Sequence, residues 1–274
     1  MTINCKGILL DLSSPKVMGI LNVTPNSFFD GGKYKKEKEI LSQVEKMVTE
    51  GATFIDIGAY SSKPNAEFVS EEEEISRIVP VVNLILKHFP ETILSIDTFR
   101  SEVAKASIEN GAAVINDISA GHLDDKMLDV IGKYNVPYIM MHMRGTPQTM
   151  QTLTIYDDIV KEMLFCFSER IAKARSFGIN DLIIDPGFGF AKKIEQNYEV
   201  FQKMELFNML DLHLLVGISR KSMIYKTLDT SIEEALNGTT ILNTLALTKG
   251  AKILRVHDVK EAMECVTLFN KIKS

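Results

Sequence analysis

Asp97, Asn116 and Asp185 each close a short β-rich run, and side by side they would form a wall rich in hydrogen-bond acceptors. Such a wall suits a ligand with several N–H donors, and a 2-aminopyrimidinone ring is one. Lys221, in the segment Gly217-Ile-Ser-Arg-Lys-Ser222, would add a donor to a ring carbonyl or nitrogen. The match matters because each unpaired buried polar group costs roughly 1–3 kcal/mol. A second group is basic. Arg255 and His257 precede Asp258, which reads as the N-cap of the last helix, and a helix N-terminus favours an anion. The competing reading of Arg255 is an ion pair with a neighbouring strand-tip carboxylate. His142, inside Met140-Met-His-Met143, reads as a packed strand-end histidine rather than a catalyst. His88, His122 and His213 lack the spacing of metal ligands.

Two loops could cover such a site. Asn22 opens Val23-Thr-Pro-Asn-Ser-Phe-Phe-Asp-Gly-Gly32, whose Pro, Gly and small polar residues suit a lid carrying Phe28 and Phe29. Ala59 to Asn65 forms the second loop. With Phe190, in Asp185-Pro-Gly-Phe-Gly-Phe190, these aromatics favour an aromatic substrate.

The elements that must position these groups repeat along the chain. Val17–Leu21, Phe54–Ile57, Ile93–Ile96, Ala113–Ile115, Tyr138–Met141, Leu182–Ile184, Leu214–Val216 and Ile253–Leu254 alternate with helical patterns, as parallel strands with crossover helices do. Gly51-Ala52, Gly111-Ala112 and Gly250-Ala251 each precede a strand, and glycine is what a helix end needs there. Ser70 with Glu73, Ser231 with Glu234, and Asp258 with Glu261 have the spacing of capping boxes. The acidic run Glu71–Glu74 accordingly reads as a helix first turn and not a metal site.

Eight strand–helix units in about 250 residues is the arithmetic of a TIM barrel. The expectation is an α/β fold, a single-domain (β/α)8 barrel over residues 1–274 with a short N-terminal β extension. No G-x-G-x-x-G turn follows an early strand, which disfavours a doubly wound sheet. Every run ends near a polar residue: Asn22, Asp56, Asp97, Asn116 with Asp117, His142, Asp185, the Ser219–Lys221 segment, and Arg255 with His257. In a barrel these ends converge on one face.

A formal charge of −5 offers no basic face for nucleic acid. No apolar run approaches the ~18–20 residues of a membrane span. Cys5, Cys166 and Cys265 are odd in number and widely spaced, fitting thiols in a reducing compartment, so the cytoplasm is expected.

The ordered segments Gly19–Gly32, Ile55–Gly58, Ser95–Thr98, Ile115–Ile118, Met140–Gly145, Asp185–Phe190, Gly217–Ser222 and Arg255–Asp258 resemble the signatures of dihydropteroate synthases, over essentially the whole chain. The resemblance implies condensation of 6-hydroxymethyl-7,8-dihydropterin pyrophosphate with p-aminobenzoate in folate biosynthesis, with Mg²⁺ as cofactor. It implies sulfonamides as competitors and a homodimer. By the same resemblance Asp97, Asn116, Ile118, Met140, Asp185, Phe190, Gly217 and Lys221 would hold the pterin, and Asn22 would coordinate Mg²⁺. Phe28, Asp30, Ser62, Lys63, Pro64, Phe190, Ser219, Lys221, Ser222, Arg255 and His257 would frame aminobenzoate and pyrophosphate. Asp97, Lys221, Arg255 and His257 would carry the chemistry.

The second loop departs from the usual Gly-Glu-Ser-Thr-Arg-Pro-Gly, reading Ala59-Tyr-Ser-Ser-Lys-Pro-Asn65. Lys63 is a point charge where an arginine fork would grip phosphate. Asn26 and Phe29 also replace the usual Asp and Ser. The rivals are a non-catalytic pterin-binding paralogue and a methyltetrahydrofolate-dependent methyltransferase barrel, which has no use for an Arg-x-His anion site.

Overall fold

The computed structural model describes residues 2–23, 33–60 and 69–273. Phe28, Asp30, Ser62, Lys63 and Pro64, with the unusual Asn26 and Phe29, lie outside the described residues.

A hairpin of β1 (Thr2–Cys5) and β2 (Ile8–Asp11) precedes the eight parallel strands of a closed barrel. These are β3 (Lys16–Asn22), β4 (Phe54–Gly58), β5 (Ile93–Asp97), β6 (Val114–Asp117), β7 (Tyr138–Met141), β8 (Leu182–Asp185), β9 (His213–Val216) and β10 (Ala251–Val256), with β10 closing on β3. The crossover helices are α1 (Lys33–Thr49), α2 (Glu71–His88), α3 (Ser101–Glu109), α4 (Met127–Tyr134), α5 (Ile159–Ser176), α6 (Ile194–Gln202), the short α7 (Ser222–Tyr225), α8 (Leu236–Thr248) and α9 (Val259–Lys273). The expected runs all fall on barrel strands, apart from Ala113, which stands just outside β6.

Side chains alternate across each strand, so each run feeds two cores. One set, including Val17, Ile55, Leu94, Ile115 and Ile184, packs outward under the helices. The other lies inside the barrel, where Met18, Phe54, Ile93, Val114, Ile139, Ile183, Leu215 and Ile253 meet Ile3, Cys5 and Leu12 of the N-terminal segment. The hairpin thus seals the bottom of the barrel. Higher along the same inward rows stand Asp56 and Gly58, Ser95 and Asp97, Asn116, Asp185, Gly217 and Arg255. The apolar floor and the polar top come from single strands read at a period of two.

Gly51, Gly111 and Gly250 have φ of +101°, +116° and +101°, the conformation their places after α1, α3 and α8 demand. Ser70 caps α2, its hydroxyl accepting from Glu73 N at 3.2 Å, but the Glu73 carboxylate turns to Arg77 instead of reaching back. Ser231 accepts from Glu234 N at 3.3 Å in a turn that precedes α8 rather than in its first turn. The Asp258 carboxylate, expected to cap the last helix, receives Arg220 Nε at 2.8 Å and Nη2 at 2.9 Å.

Candidate functional site

Asp56 sits in the middle of β4 and is fully buried. Its Oδ1 accepts from Ser95 Oγ at 2.5 Å, and its Oδ2 from Asn116 Nδ2 at 3.1 Å and Arg255 Nε at 2.6 Å. Arg255 Nη2 donates onward to Asp97 Oδ2 at 2.7 Å. One carboxylate therefore joins four strands, β4, β5, β6 and β10. It also fixes the Asn116 amide: a carboxylate can receive only the NH2 end, so the Asn116 oxygen is kept as an acceptor for something else.

Burial raises the Asp97 carboxyl to about 7, opposed by the Arg255 charge and reinforced by Asp56. Burial also works against the Arg255 guanidinium, but Asp56 and Asp97 outweigh it and raise Arg255 above its ordinary value. Asp185, across the barrel mouth, is likewise raised by burial, with Lys221 and the Gly187 N–H pulling it down. Gly187 N bonds Asp185 Oδ1 at 2.8 Å. The other oxygen, Oδ2, lies 3.9 Å from where a Cβ on Gly217 would stand, as does Arg255 Cβ, so Gly217 leaves room between them.

Lys221 completes this wall. Its Nζ donates to the Phe188 carbonyl and lies 4.7 Å from the Phe190 ring centroid. Burial lowers it to about 8, with Asp185 acting in the opposite sense. Asp97, Asn116, Asp185 and Lys221, singled out from sequence, are thus brought to the same inner face.

The basic group is arranged differently from the sequence expectation. Arg255 is paired with Asp56 and Asp97, the alternative reading of that residue, rather than standing apart as an anion donor. His257 rests on Ser219, whose Oγ accepts the His257 N–H at 3.2 Å and lies 3.0 Å from its Nδ1. With the Ser219 hydroxyl donating to Nδ1, the neutral His257 ring carries its proton on Nε2 and can donate from there; that tautomer is assigned from chemistry, since the contact itself is compatible with either direction. Desolvation, then the Arg255 charge, holds His257 below the usual imidazole value. Ser222 opens α7 beside Lys221.

One residue must be corrected. Met140 is fully buried but packs with the outer core under the helices, one register step away from the pocket. Met141, paired in register with Asp185, is the inward one; it clusters with Ile118, Met143 and Ala191, with Phe190 against them. Asp117, also at the tip of β6, serves the loop behind it, accepting from Ser119 N, Gly121 N and the Tyr138 hydroxyl. His142 is the packed histidine expected, buried against Tyr156 and Phe167.

Asn22 is exposed at the end of β3, its Oδ1 3.8 Å from the Cβ position of Gly58, to which Asp97 Cβ also stands 3.5 Å away. It is a single neutral oxygen, and among the described residues no three His, Cys, Asp or Glu side chains could hold a metal ion. That donor set fits Mg²⁺ only where phosphate oxygens and water supply the rest of an octahedron.

The pocket reading separates two neighbours. Met141→Ala should weaken pterin binding by about tenfold, whereas Met140→Ala should cost about 2–5 kcal/mol of stability and leave pterin affinity alone. Calorimetry and thermal unfolding of the two variants check this. Asp56→Asn should lower kcat/KM on the order of 100-fold, because one change loosens Arg255 and permits Asn116 to flip. Steady-state kinetics decide it, and an unchanged kcat/KM would remove Asp56 from the centre of the site.

The pterin binding enzyme family matches residues 18–257. The dihydropteroate synthase of Escherichia coli (strain K12) is 42% identical over 268 residues, covering 97% of this chain and 94% of its own. A crystal structure of the Yersinia pestis dihydropteroate synthase with a sulfonamide drug complex superposes with a TM-score of 0.92 at 39% identity, covering 100% of this chain and 99% of that one. The Xanthomonas albilineans dihydropteroate synthase with 4-aminobenzoic acid gives a TM-score of 0.91 at 35% identity, over 100% and 98% of the two chains. With the Asp97–Asn116–Asp185–Lys221 wall at the mouth of its barrel, the chain belongs to the pterin-binding enzyme family, among the dihydropteroate synthases.

Proposed function

We infer that the chain condenses 6-hydroxymethyl-7,8-dihydropterin pyrophosphate with p-aminobenzoate, forming 7,8-dihydropteroate and releasing pyrophosphate. The observation that carries this reading is the juxtaposition of an acceptor wall for the pterin edge with a cationic and imidazole group two residues apart on β10 and its exit. Asp97, Asp185 and the Asn116 oxygen accept ring N–H groups, and Lys221 donates to the ring. Met141, Ile118 and Phe190 supply the apolar contact.

The C–O bond at the pterin methylene breaks first, and the positive charge spreads into the ring. Asp97, ionised and held by Arg255, stabilises that charge. The pyrophosphate oxygens leave toward His257 Nε2–H and the Arg255 guanidinium. The aniline nitrogen then forms the C–N bond to the methylene carbon and passes its proton to the released pyrophosphate. Asn22, with oxygens of the pyrophosphate, would hold Mg²⁺, which would supply charge neutralisation of the leaving group. Phe190, Lys221 and Ser222 line the approach of the aminobenzoate, and Phe28, Asp30, Ser62, Lys63 and Pro64, which the resemblance also assigns to it, lie outside the described residues. Sulfonamides compete there because they present the same aryl amine.

A basic group of this kind favours the synthase over the methyltransferase barrel, which transfers a methyl group and releases no anion. Three unpaired cysteines suit a cytoplasmic enzyme, and among the described residues no helix is long and apolar enough to cross a membrane. Exposed Ile241 and Leu245 on α8 and Leu268 on α9 favour a homodimer through these late helices.

The test is pyrophosphate release by the purified chain. Release that requires the pterin substrate, Mg²⁺ and p-aminobenzoate together, and that a sulfonamide suppresses competitively with p-aminobenzoate, is expected. Pterin binding without turnover would instead identify a non-catalytic pterin-binding protein. For the dimer, sedimentation should give twice the 30.7 kDa chain mass, and Leu245→Glu should shift it to monomer; a wild-type monomer refutes the interface.

A further inference from the structure

The loop between β8 and α6 carries most of what aims the pterin wall. Gly187 N orients Asp185, the Phe188 carbonyl receives Lys221 Nζ, and the Phe190 ring lies under the same nitrogen. This loop has no regular structure of its own. Its backbone alternates through left-handed residues, Gly187 at φ +67°, Gly189 at +86° and Ala191 at +48°. A Cβ on Gly187 would lie 2.3 Å from the His142 carbonyl oxygen, so the loop is pressed against the end of β7.

Beneath the loop lies Lys192, only 6% exposed. Its Nζ contacts the Gly187 carbonyl at 3.0 Å, the Phe190 carbonyl at 3.0 Å and His142 Nδ1 at 3.2 Å. An ammonium has three N–H bonds, and here each finds an acceptor. His142 supports this arrangement, because burial holds its imidazole well below the usual value, and a neutral ring can accept at Nδ1. Burial lowers Lys192 to about 7, with the Asp185 carboxylate acting to keep the charge.

We propose that Lys192 is a positioning residue for the reaction: its ammonium clamps the 187–190 loop from beneath and so sets Asp185 and Lys221 against the pterin ring. Lys192 touches no substrate; it acts through two carbonyls that flank the Phe188 acceptor. A methionine of similar length would fill the space and leave two backbone carbonyls and an imidazole nitrogen unpaired. The inference rests on the pterin-binding reading above, and the experiment separates the two.

Binding of 6-hydroxymethylpterin is measured by calorimetry for wild type, Lys192→Met, Lys221→Ala and the double variant. Lys192→Met is expected to weaken pterin binding by about 10- to 100-fold, and by at least about threefold less in the Lys221→Ala background, because the shared loop couples them. A general loss of packing would lower stability and cost the same affinity in both backgrounds; that result overturns the proposal. So does an unchanged dissociation constant in folded Lys192→Met. Should Lys192→Met fail to fold, Lys192→Gln takes its place, since its amide is polar enough for the site but uncharged and one bond too short to keep all three contacts of the ammonium. A loss of about three- to tenfold that shrinks in the Lys221→Ala background supports the clamp, and no loss, or an equal one, overturns it. Wild type that binds no pterin would sink the functional reading itself, whatever Lys192 does.

Discussion

A carboxylate with no exposed surface in the middle of a barrel is expensive unless every lone pair has a partner, and the Asp56 site is built around that constraint. Ser95, Asn116 and Arg255 all direct hydrogen bonds at it, and Arg255 carries the positive charge that makes the burial tolerable. Because Arg255 also reaches Asp97, the charge of one guanidinium is shared by two acids that would otherwise repel each other. The arrangement ties the inner faces of β4, β5, β6 and β10 together at one level. The polar groups above that level inherit their positions from it: Asn116 its rotamer, Asp97 its partner.

The barrel supplies what that network needs from below. Inward rows that carry Asp, Asn or Arg higher up begin in Phe54, Ile93, Val114 and Ile253, and the N-terminal hairpin closes the floor with Ile3 and Cys5. Water is thereby kept from one side of the polar layer, and the ligand edge approaches from the other. Low local polarity strengthens each hydrogen bond offered to the pterin and punishes each one left unmade. A ring with fewer N–H donors than the wall has acceptors would leave buried oxygens unpaired, which is a physical basis for selectivity.

Much of this was legible in the sequence, for identifiable reasons. Strands buried on both faces of a parallel barrel appear as short apolar runs, and glycines at helix ends punctuate them, so the eightfold repeat could be counted. The same continuity hides the facing of individual residues. In Tyr138-Ile-Met-Met141 both faces are apolar, so nothing in the run tells that Met141 and not Met140 looks inward. On β4 the signal was present: two steps of the strand period from Phe54 lead through Asp56 to Gly58, which marks Asp56 as interior rather than as a tip. Asp258 has the spacing of a cap, yet Arg220, far away in sequence, holds its carboxylate. Lys192 reads as an ordinary loop lysine, because only the folded loop brings the Gly187 and Phe190 carbonyls to one point.

The state of Arg255 bears on how the site accepts its substrate. Alone, the guanidinium's single positive charge is shared between Asp56 and Asp97, and Asp97 is kept oriented in a setting where burial raises its carboxyl. In the proposed reaction an incoming pterin would offer N–H donors to Asp97, and the pyrophosphate would offer anionic oxygens to Arg255, so each member of the ion pair would meet a substitute partner from the same molecule. The exchange conserves the number of charge-assisted bonds, and Asp56 keeps its hold on Nε throughout. Breaking the C–O bond in that proposed reaction would build negative charge beside Arg255 and positive charge beside Asp97, and the original pair would match the charge separation of the transition state. Catalysis by such preorganised charges needs little movement of the protein at the moment of reaction. The fixed Asp56 network, rather than the mobile ends of long side chains, is what provides that.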